Sequence, residues 1–199
     1  MKRFFLNCML AGIMIPSAFA ALKEGSAAPN FKAQASLAGK SFFFSLKDAL
    51  KKGPVVVYFY PSAYTEGCDI EAHTFAENHD KFAAAGATVV GVSLDSIDRL
   101  NDFSADPQYC AGKLPVVSDA SGKIARDYDI VVRNIRIHDV RGEPINHGLA
   151  ERRTFIVGTD GKIVAVVGDL APDQNVIKTL ELVQHLGAGK PPMSKSVSQ

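Results

Sequence analysis

Val55-Val56-Val57-Tyr58-Phe59-Tyr60-Pro61-Ser62-Ala63-Tyr64-Thr65-Glu66-Gly67-Cys68 is the stretch on which the reading of the fold turns. Its first six residues are β-branched or aromatic with no polar alternation, the pattern of a strand buried on both faces. Pro61 ends the strand. From Glu66 to Ala85 the pattern becomes helical, with Phe75, His79, Phe82 and Ala83 on one face and Gly86 as the stop. Cys68 therefore stands where a buried strand gives way to a helix, at the carboxyl end of a sheet and the positive end of a helix dipole. Both effects favour a thiolate, so the expectation is a thiol lowered from about 8.5 and ionised at neutral pH.

The pattern continues outward in both directions. Phe31 to Ala35 and Ser41 to Phe44 flank Leu37-Ala38-Gly39-Lys40 as a hairpin, and Leu46 to Lys51 makes a short helix closed by Gly53-Pro54. Ala87 to Leu94 is a second buried strand, and Asp95-Ser96 caps a helix to about Ser104. Pro115 to Ser118 forms a short strand and Asp119 to Tyr128 a helix. Thr154 to Gly158 and Ile163 to Val167 flank the turn Thr159-Asp160-Gly161-Lys162, and Pro172 opens a last helix to about Leu186 with Val176, Leu180 and Val183 inward. This order predicts an α/β chain: a mixed central sheet flanked by helices, parallel crossovers first and an antiparallel pair last, as in the thioredoxin-like fold. The segment 128–150 reads as irregular. Its Val131, Val132, Ile135 and Ile137 alternate with Arg133, Arg136 and Arg141 as a pocket wall, a subunit contact or a solvated loop.

Composition narrows the function. The 199 residues carry 22 basic and 21 acidic groups, a formal net charge of +1, which leaves no basic field for nucleic acid or an anionic membrane. Met1-Lys2-Arg3, a short apolar run from Phe4 to Ile15 and Ala18-Phe19-Ala20 read as a signal peptide over residues 1–20, cleaved before Ala21. The expected product is a periplasmic or similarly exported protein with one domain over 21–187 and a polar tail over 188–199. No apolar run approaches the roughly 20 residues of a transmembrane helix. Of three cysteines, Cys8 lies in the leader, leaving Cys68 and Cys110. Their default reading in an exported protein is one structural disulfide. The histidines do not group at metal-ligand spacing, and no metal or organic cofactor is expected.

The sequence around Cys68 resembles the peroxiredoxin signature P-x-x-x-T-x-x-C, with Pro61, Thr65 and Cys68 in its three fixed positions and Tyr60 before the proline. Glu71 matches a glutamate common in that family. A late-strand arginine, three positions before a phenylalanine, matches Arg152 in Arg152-Arg153-Thr154-Phe155, with Arg153 on the opposite face of the strand. The resemblance runs from about Gly25 to Leu186 and is closest to the peroxiredoxin Q, or bacterioferritin-comigratory, type. It implies a peroxidase acting on hydrogen peroxide and organic hydroperoxides through a Cys68 sulfenic acid. Arg152 would hold sulfur and peroxide oxygens, Thr65 would accept from peroxide while donating to sulfur, and Pro61 would screen the pocket. A thioredoxin-like or other dithiol would serve as reductant, in a monomer or weak dimer.

The residues also admit plainer roles. Thr65 reads equally as a helix N-cap, Pro61 as a strand stop and Arg152 as a surface ion-pair partner. Many members of the Q type carry a resolving cysteine five residues after the first, where this chain has His73. Cys110, 42 residues beyond Cys68, lies where other members place that thiol, which implies an intramolecular disulfide. The alternative for Cys110 is a buried apolar residue beside a one-cysteine enzyme. A thioredoxin-like thiol-disulfide oxidoreductase would require a second thiol that Cys68-Asp69-Ile70-Glu71 lacks. A non-catalytic module would keep Cys68–Cys110 as a permanent disulfide.

Overall fold

Seven strands form one mixed sheet in the computed structural model, which describes residues 21–188. The expected signal peptide, Cys8 and the tail from residue 189 lie outside the described residues. The hairpin of β1 (Lys32–Leu37) and β2 (Lys40–Ser45) turns through Ala38 and Gly39, both at positive φ, and joins one edge by antiparallel pairing of β1 with β5 (Val116–Ser118). The centre is parallel: β5 to β4 (Thr88–Ser93), then β4 to β3 (Val55–Phe59). The far edge is the antiparallel pair β8 (Arg153–Val157) and β9 (Ile163–Val167), with β8 against β3. All five residues of β3 are buried, as their apolar run requires.

The period of two in these strands splits the core. Val56, Tyr58, Tyr60 and Ile156 face one layer, built with α2 (Glu66–Glu77), α3 (His79–Ala84), α4 (Ile97–Ala105) and α6 (Pro172–Gly187). Val55, Val57, Phe59, Phe155 and Val157 face the other, against α1 (Leu46–Leu50) and α5 (Lys123–Asp127). Helices on both faces of a mixed sheet make the thioredoxin-like α/β arrangement that the sequence predicted.

Three expectations change. The single helix expected over Glu66 to Ala85 breaks at Asn78, whose backbone leaves helical values and whose amide Nδ2 donates to the Thr74 carbonyl at 2.9 Å. Phe75 and Phe82 stay packed at 5.5 Å across the break, but Ala83 turns out to solvent rather than onto the core. The helix expected from Asp119 is only α5. Asp119 lies ahead of it and accepts from the backbone N–H groups of Ile124 and Ala125 at 3.1 and 2.8 Å, filling the place of an N-cap. The irregular segment 128–150 contains a small ladder of β6 (Val132–Arg133) with β7 (Leu149–Ala150). An open groove of about 660 Å³ lies between Asn134–His138 and Pro144–Gly148, and Ile135, Arg133, Arg136 and Arg141 are exposed, as in a solvated loop.

Candidate active site

Cys68 is the third residue of α2 and only 2% exposed. Glu71 and Phe75 follow it at helical spacings of three and seven, so all three line the buried face of α2 toward the sheet. Arg152 enters from the strand side, immediately before β8. Its Nη2 donates to the Cys68 sulfur at 3.5 Å and its Nη1 pairs with Glu71 Oε2. Arg153 turns away to Glu151 and Asp169. The alternation of the strand thus delivers one arginine to the sulfur and the other to Glu151 and Asp169 on the opposite face.

Gly67 makes that approach possible. A Cβ there would stand 3.1 Å from Arg152 Nη2 and 3.4 Å from Pro172 Cγ, so a side chain would crowd the guanidinium. The sequence offered a signal for this residue, a glycine inside the first turn of a helix, where its propensity is poor.

Thr65 occupies the N-cap position of α2 by backbone geometry, but its side chain makes no cap hydrogen bond. Its hydroxyl donates to the Ser62 carbonyl at 2.8 Å, and the Thr65 side chain also acts on the Cys68 thiol, lowering its pKa. The oxygen lone pairs remain to accept from a ligand. Pro61 follows Tyr60 just beyond β3 and is half-buried.

The electrostatics oppose the expected ionised thiol. Burial pushes the Cys68 thiol above its ordinary value, and the Arg152 charge, hydrogen bonding from Thr65 and the Ser62 backbone pull it only part of the way back. Placement at the helix start therefore does not by itself ionise Cys68 at neutral pH, because the site is closed to water. Glu71 is fully buried, and burial raises it to about 7 against the pull of Arg152. For Arg152, burial works against the charge, but Glu71 and Cys68 outweigh it and its pKa rises.

The loop between β3 and α2 is clamped from below by Asp95, a group that sequence reasoning assigned only to helix capping. Asp95 accepts from Ser62 Oγ at 2.7 Å, the Ala63 N–H at 2.8 Å, Ser93 Oγ at 2.7 Å and His147 Nε2 at 2.8 Å, and pairs with Arg99 at 3.1 Å. His147 Nδ1 also meets an acceptor, the Gly148 carbonyl at 2.9 Å. With an acceptor facing each nitrogen, the surroundings favour the protonated ring, which can donate to both. Burial works against that charge, but the Asp95 and Gly148 hydrogen bonds and the Asp95 charge prevail and raise the His147 pKa. Nothing in the spacing of residues 62, 95 and 147 joins them before folding.

Cys110 is also a free, fully buried thiol, in the turns after α4 and in the same core layer as Cys68. Burial raises its pKa, and the charges of Asp69 and Asp106 add to the effect. Tyr60 stacks on Tyr58 at 5.4 Å, and burial followed by the charge effects of Tyr58 and Asp95 holds its hydroxyl neutral. His73 is exposed and pairs with Glu77 at 3.4 Å. Among the described residues, no three His, Cys, Asp or Glu side chains gather as a metal site, and no helix is long and apolar enough to cross a membrane.

Similarity to known proteins agrees with this geometry. A chloroplastic peroxiredoxin Q of Sedum lineare is 32% identical over 173 residues, covering 85% of this chain and 82% of that protein. Among solved structures, the peroxidoxin BcpB of Mycobacterium tuberculosis matches with a TM-score of 0.69 at 27% identity over 83% of this chain and 98% of that one. The peroxiredoxin Q of Xanthomonas campestris matches with a TM-score of 0.62 at 28% identity over 77% of this chain and 90% of that one. The model of the AhpC/TSA family matches residues 25–166, and the chain belongs to that family: it is a peroxiredoxin, a thiol-dependent peroxidase similar to the Q, or bacterioferritin-comigratory, type.

Proposed function

We propose that Cys68 is the peroxidatic thiol and that Cys110 resolves it. The observation that carries the reading is the placement of Arg152, whose guanidinium meets both the Cys68 sulfur and Glu71 inside a closed site. On deprotonation the sulfur attacks one peroxide oxygen, the O–O bond breaks, and the second oxygen leaves as hydroxide or alkoxide. Arg152 N–H groups oppose the charge that develops on both centres, and the free lone pairs of Thr65 orient the attacked peroxide. Hydrogen peroxide and organic hydroperoxides are the substrate class.

The product is a Cys68 sulfenic acid, which condenses with the Cys110 thiol to an intramolecular disulfide. A thioredoxin-like dithiol then reduces the disulfide. We further take the leader at residues 1–20 to export the enzyme, which would then act outside the cytoplasm as a monomer or weak dimer.

The test is to add one equivalent of hydrogen peroxide to the reduced protein and map thiols by digestion and mass spectrometry. A Cys68–Cys110 linked peptide is expected. A stable Cys68 sulfenic acid with Cys110 still reduced would establish a one-cysteine enzyme, and oxidation confined to Cys110 would remove Cys68 from the peroxidatic role.

A further inference from the structure

The turn over residues 139–143 closes on the loop that leads into α2, and the chemistry described so far makes no use of it. The Asp139 N–H donates to the Glu143 carbonyl at 2.8 Å and the Gly142 N–H to the Asp139 carbonyl at 3.0 Å, so the turn is braced within itself. From it the Val140 N–H donates to the Tyr64 carbonyl at 2.9 Å, and the Arg141 guanidinium lies 3.4 Å from the centroid of the Tyr64 ring. Buried Asp139 aims that guanidinium: its carboxylate accepts from Arg141 Nε at 3.2 Å and from Nη2 at 3.0 Å. The same carboxylate accepts at 2.8 Å from Arg99 Nη2, which also donates to the Ala63 carbonyl at 2.9 Å.

Tyr64 is where the two cysteine segments touch. It stands four residues before Cys68, and its ring packs edge-on against Tyr109, the residue before Cys110, at 5.3 Å and against Phe103 of α4 at 5.2 Å. Phe103 and Tyr109 in turn stack on each other at 5.3 Å. The backbone of Tyr64 has a φ of +59°, in the left-handed region that aromatic residues rarely adopt and that persists only where neighbours over-determine it. The turn supplies two of those constraints, the Val140 hydrogen bond on the carbonyl and Arg141 on the ring. Thr65, the next residue, carries the hydroxyl assigned above to the peroxide, so what fixes Tyr64 also fixes the entry to the site.

We propose that Arg141 is a positioning residue: stacked on Tyr64, it holds the loop before Cys68 and the turn before Cys110 in the arrangement that receives peroxide, and its release lets the two thiols meet. This rests on the reading of Cys68 as the peroxidatic and Cys110 as the resolving thiol. A cation over a ring face is drawn to the ring quadrupole, and the Asp139 carboxylate confines it there. With the stack intact, the left-handed turn at Tyr64 is held, Thr65 keeps its place ahead of Cys68, and the Tyr64–Tyr109 contact keeps the Cys110 turn in register with it. With the stack lost, Tyr64 relaxes toward ordinary backbone values and both segments gain the local freedom that disulfide formation needs. The covalent step is unaltered: the Cys110 sulfur bonds to the Cys68 sulfur, the S–O bond of the sulfenic acid breaks, and the oxygen leaves with the Cys110 proton as water. Arg141 acts through Tyr64 rather than on either sulfur.

The test is Arg141→Ala, with Arg141→Lys and Arg136→Ala beside it, each followed by quenched flow and mass spectrometry with one equivalent of hydrogen peroxide and by thermal unfolding. Arg141→Ala should slow formation of the Cys68 sulfenic acid and accelerate the disulfide step, each by a few-fold to about 30-fold, the loss expected for one cation over a ring. Arg141→Lys, which keeps the charge but not the planar guanidinium, should fall between the parent and the alanine variant. Arg136→Ala removes an exposed cation of the same segment and should leave both rates at the parent value. Opposite changes in the two steps are a signature that a merely structural role would not give. Two rates that fall together with a lower Tm overturn the proposal in favour of packing, and a change in only one step, or in neither, overturns it as well. The same opposite changes in Arg136→Ala would assign the effect to the charge of the segment and not to the stack. If the parent itself leaves Cys110 reduced, the resolving assignment fails first, and the release step falls with it.

Discussion

Arg152 joins Glu71 to Cys68: one guanidinium nitrogen lies on the carboxylate and the other 3.5 Å from the sulfur. The carboxylate orients the cation without reaching the thiol, so the positive charge stays aimed at the sulfur in a site closed to water. Arg152→Ala should slow oxidation of Cys68 by about 10²–10³-fold, the loss expected for one donor to a developing oxyanion. Arg153→Ala, whose partners are Glu151 and Asp169, should leave the rate near that of the parent. Stopped-flow peroxide consumption compares them, and a larger loss in the Arg153 variant would reverse the assignment.

The same contact sets a pH prediction. Burial raises the Cys68 thiol and Arg152 opposes burial, so removing the cation leaves the desolvation uncompensated. The pH midpoint for alkylation of Cys68 by iodoacetamide should move upward in Arg152→Ala. A downward or absent shift would mean that Arg152 does not stabilise the thiolate.

Gly67→Ala separates activity from stability. Alanine is the better helix former by roughly 0.5–1 kcal/mol, but its Cβ would crowd Arg152 Nη2 at 3.1 Å. Peroxide oxidation should fall, approaching the ~10²-fold cost of a misplacement of about 1 Å, while the Tm holds or rises. Equal activity in the variant would show that Arg152 tolerates displacement.

His147→Ala removes one donor from the buried Asp95 that clamps Ser62 and Ala63. A stability loss of about 1–3 kcal/mol is expected. The folded protein raises the His147 pKa above 6.5, so the stability this proton contributes is fully present below about pH 6.5 and fades as pH rises through the raised value. Asp95 contributes at the other end, its lowered pKa giving stability present above 3.8 and lost in stronger acid. Urea unfolding from pH 5 to 9 should therefore show the parent and variant converging toward the alkaline side. A gap that widens with pH would contradict a charged His147.

Much of this was legible before folding because it depends on local pattern. The apolar run 55–60 and the turn 159–162 announce the strands and hairpin, and Cys68 stands at a strand-to-helix junction, while Thr65 and Arg152 are picked out by the resemblance. The choice of Arg152 over Arg153 comes from the family resemblance, which sets the arginine three residues before a phenylalanine, and strand alternation then puts Arg153 on the opposite face. What escaped depends on pairing across the sequence. The Asn78 break arises where an asparagine competes for a helix carbonyl, and the Asp95 clamp joins residues 62, 93 and 147 only through folding. The helix position that favours a thiolate at Cys68 is visible in sequence, whereas the depth of burial that opposes it is not.

Export remains a proposal carried by residues 1–20. It predicts a native protein beginning at Ala21 by intact mass, recovered from the exported fraction. A species that keeps Met1 and remains in the cytoplasmic fraction would contradict it.

The central claim is that Cys68 is the atom that meets peroxide, and single-turnover consumption of hydrogen peroxide by Cys68→Ser and Cys110→Ser tests it most directly. Cys110→Ser should consume one equivalent at the parent rate and accumulate a Cys68 sulfenic acid that a dimedone-type probe traps. Cys68→Ser should consume peroxide no faster than an ordinary buried thiol. Rapid consumption by Cys68→Ser, or its loss in Cys110→Ser with Cys68 intact, would contradict the account.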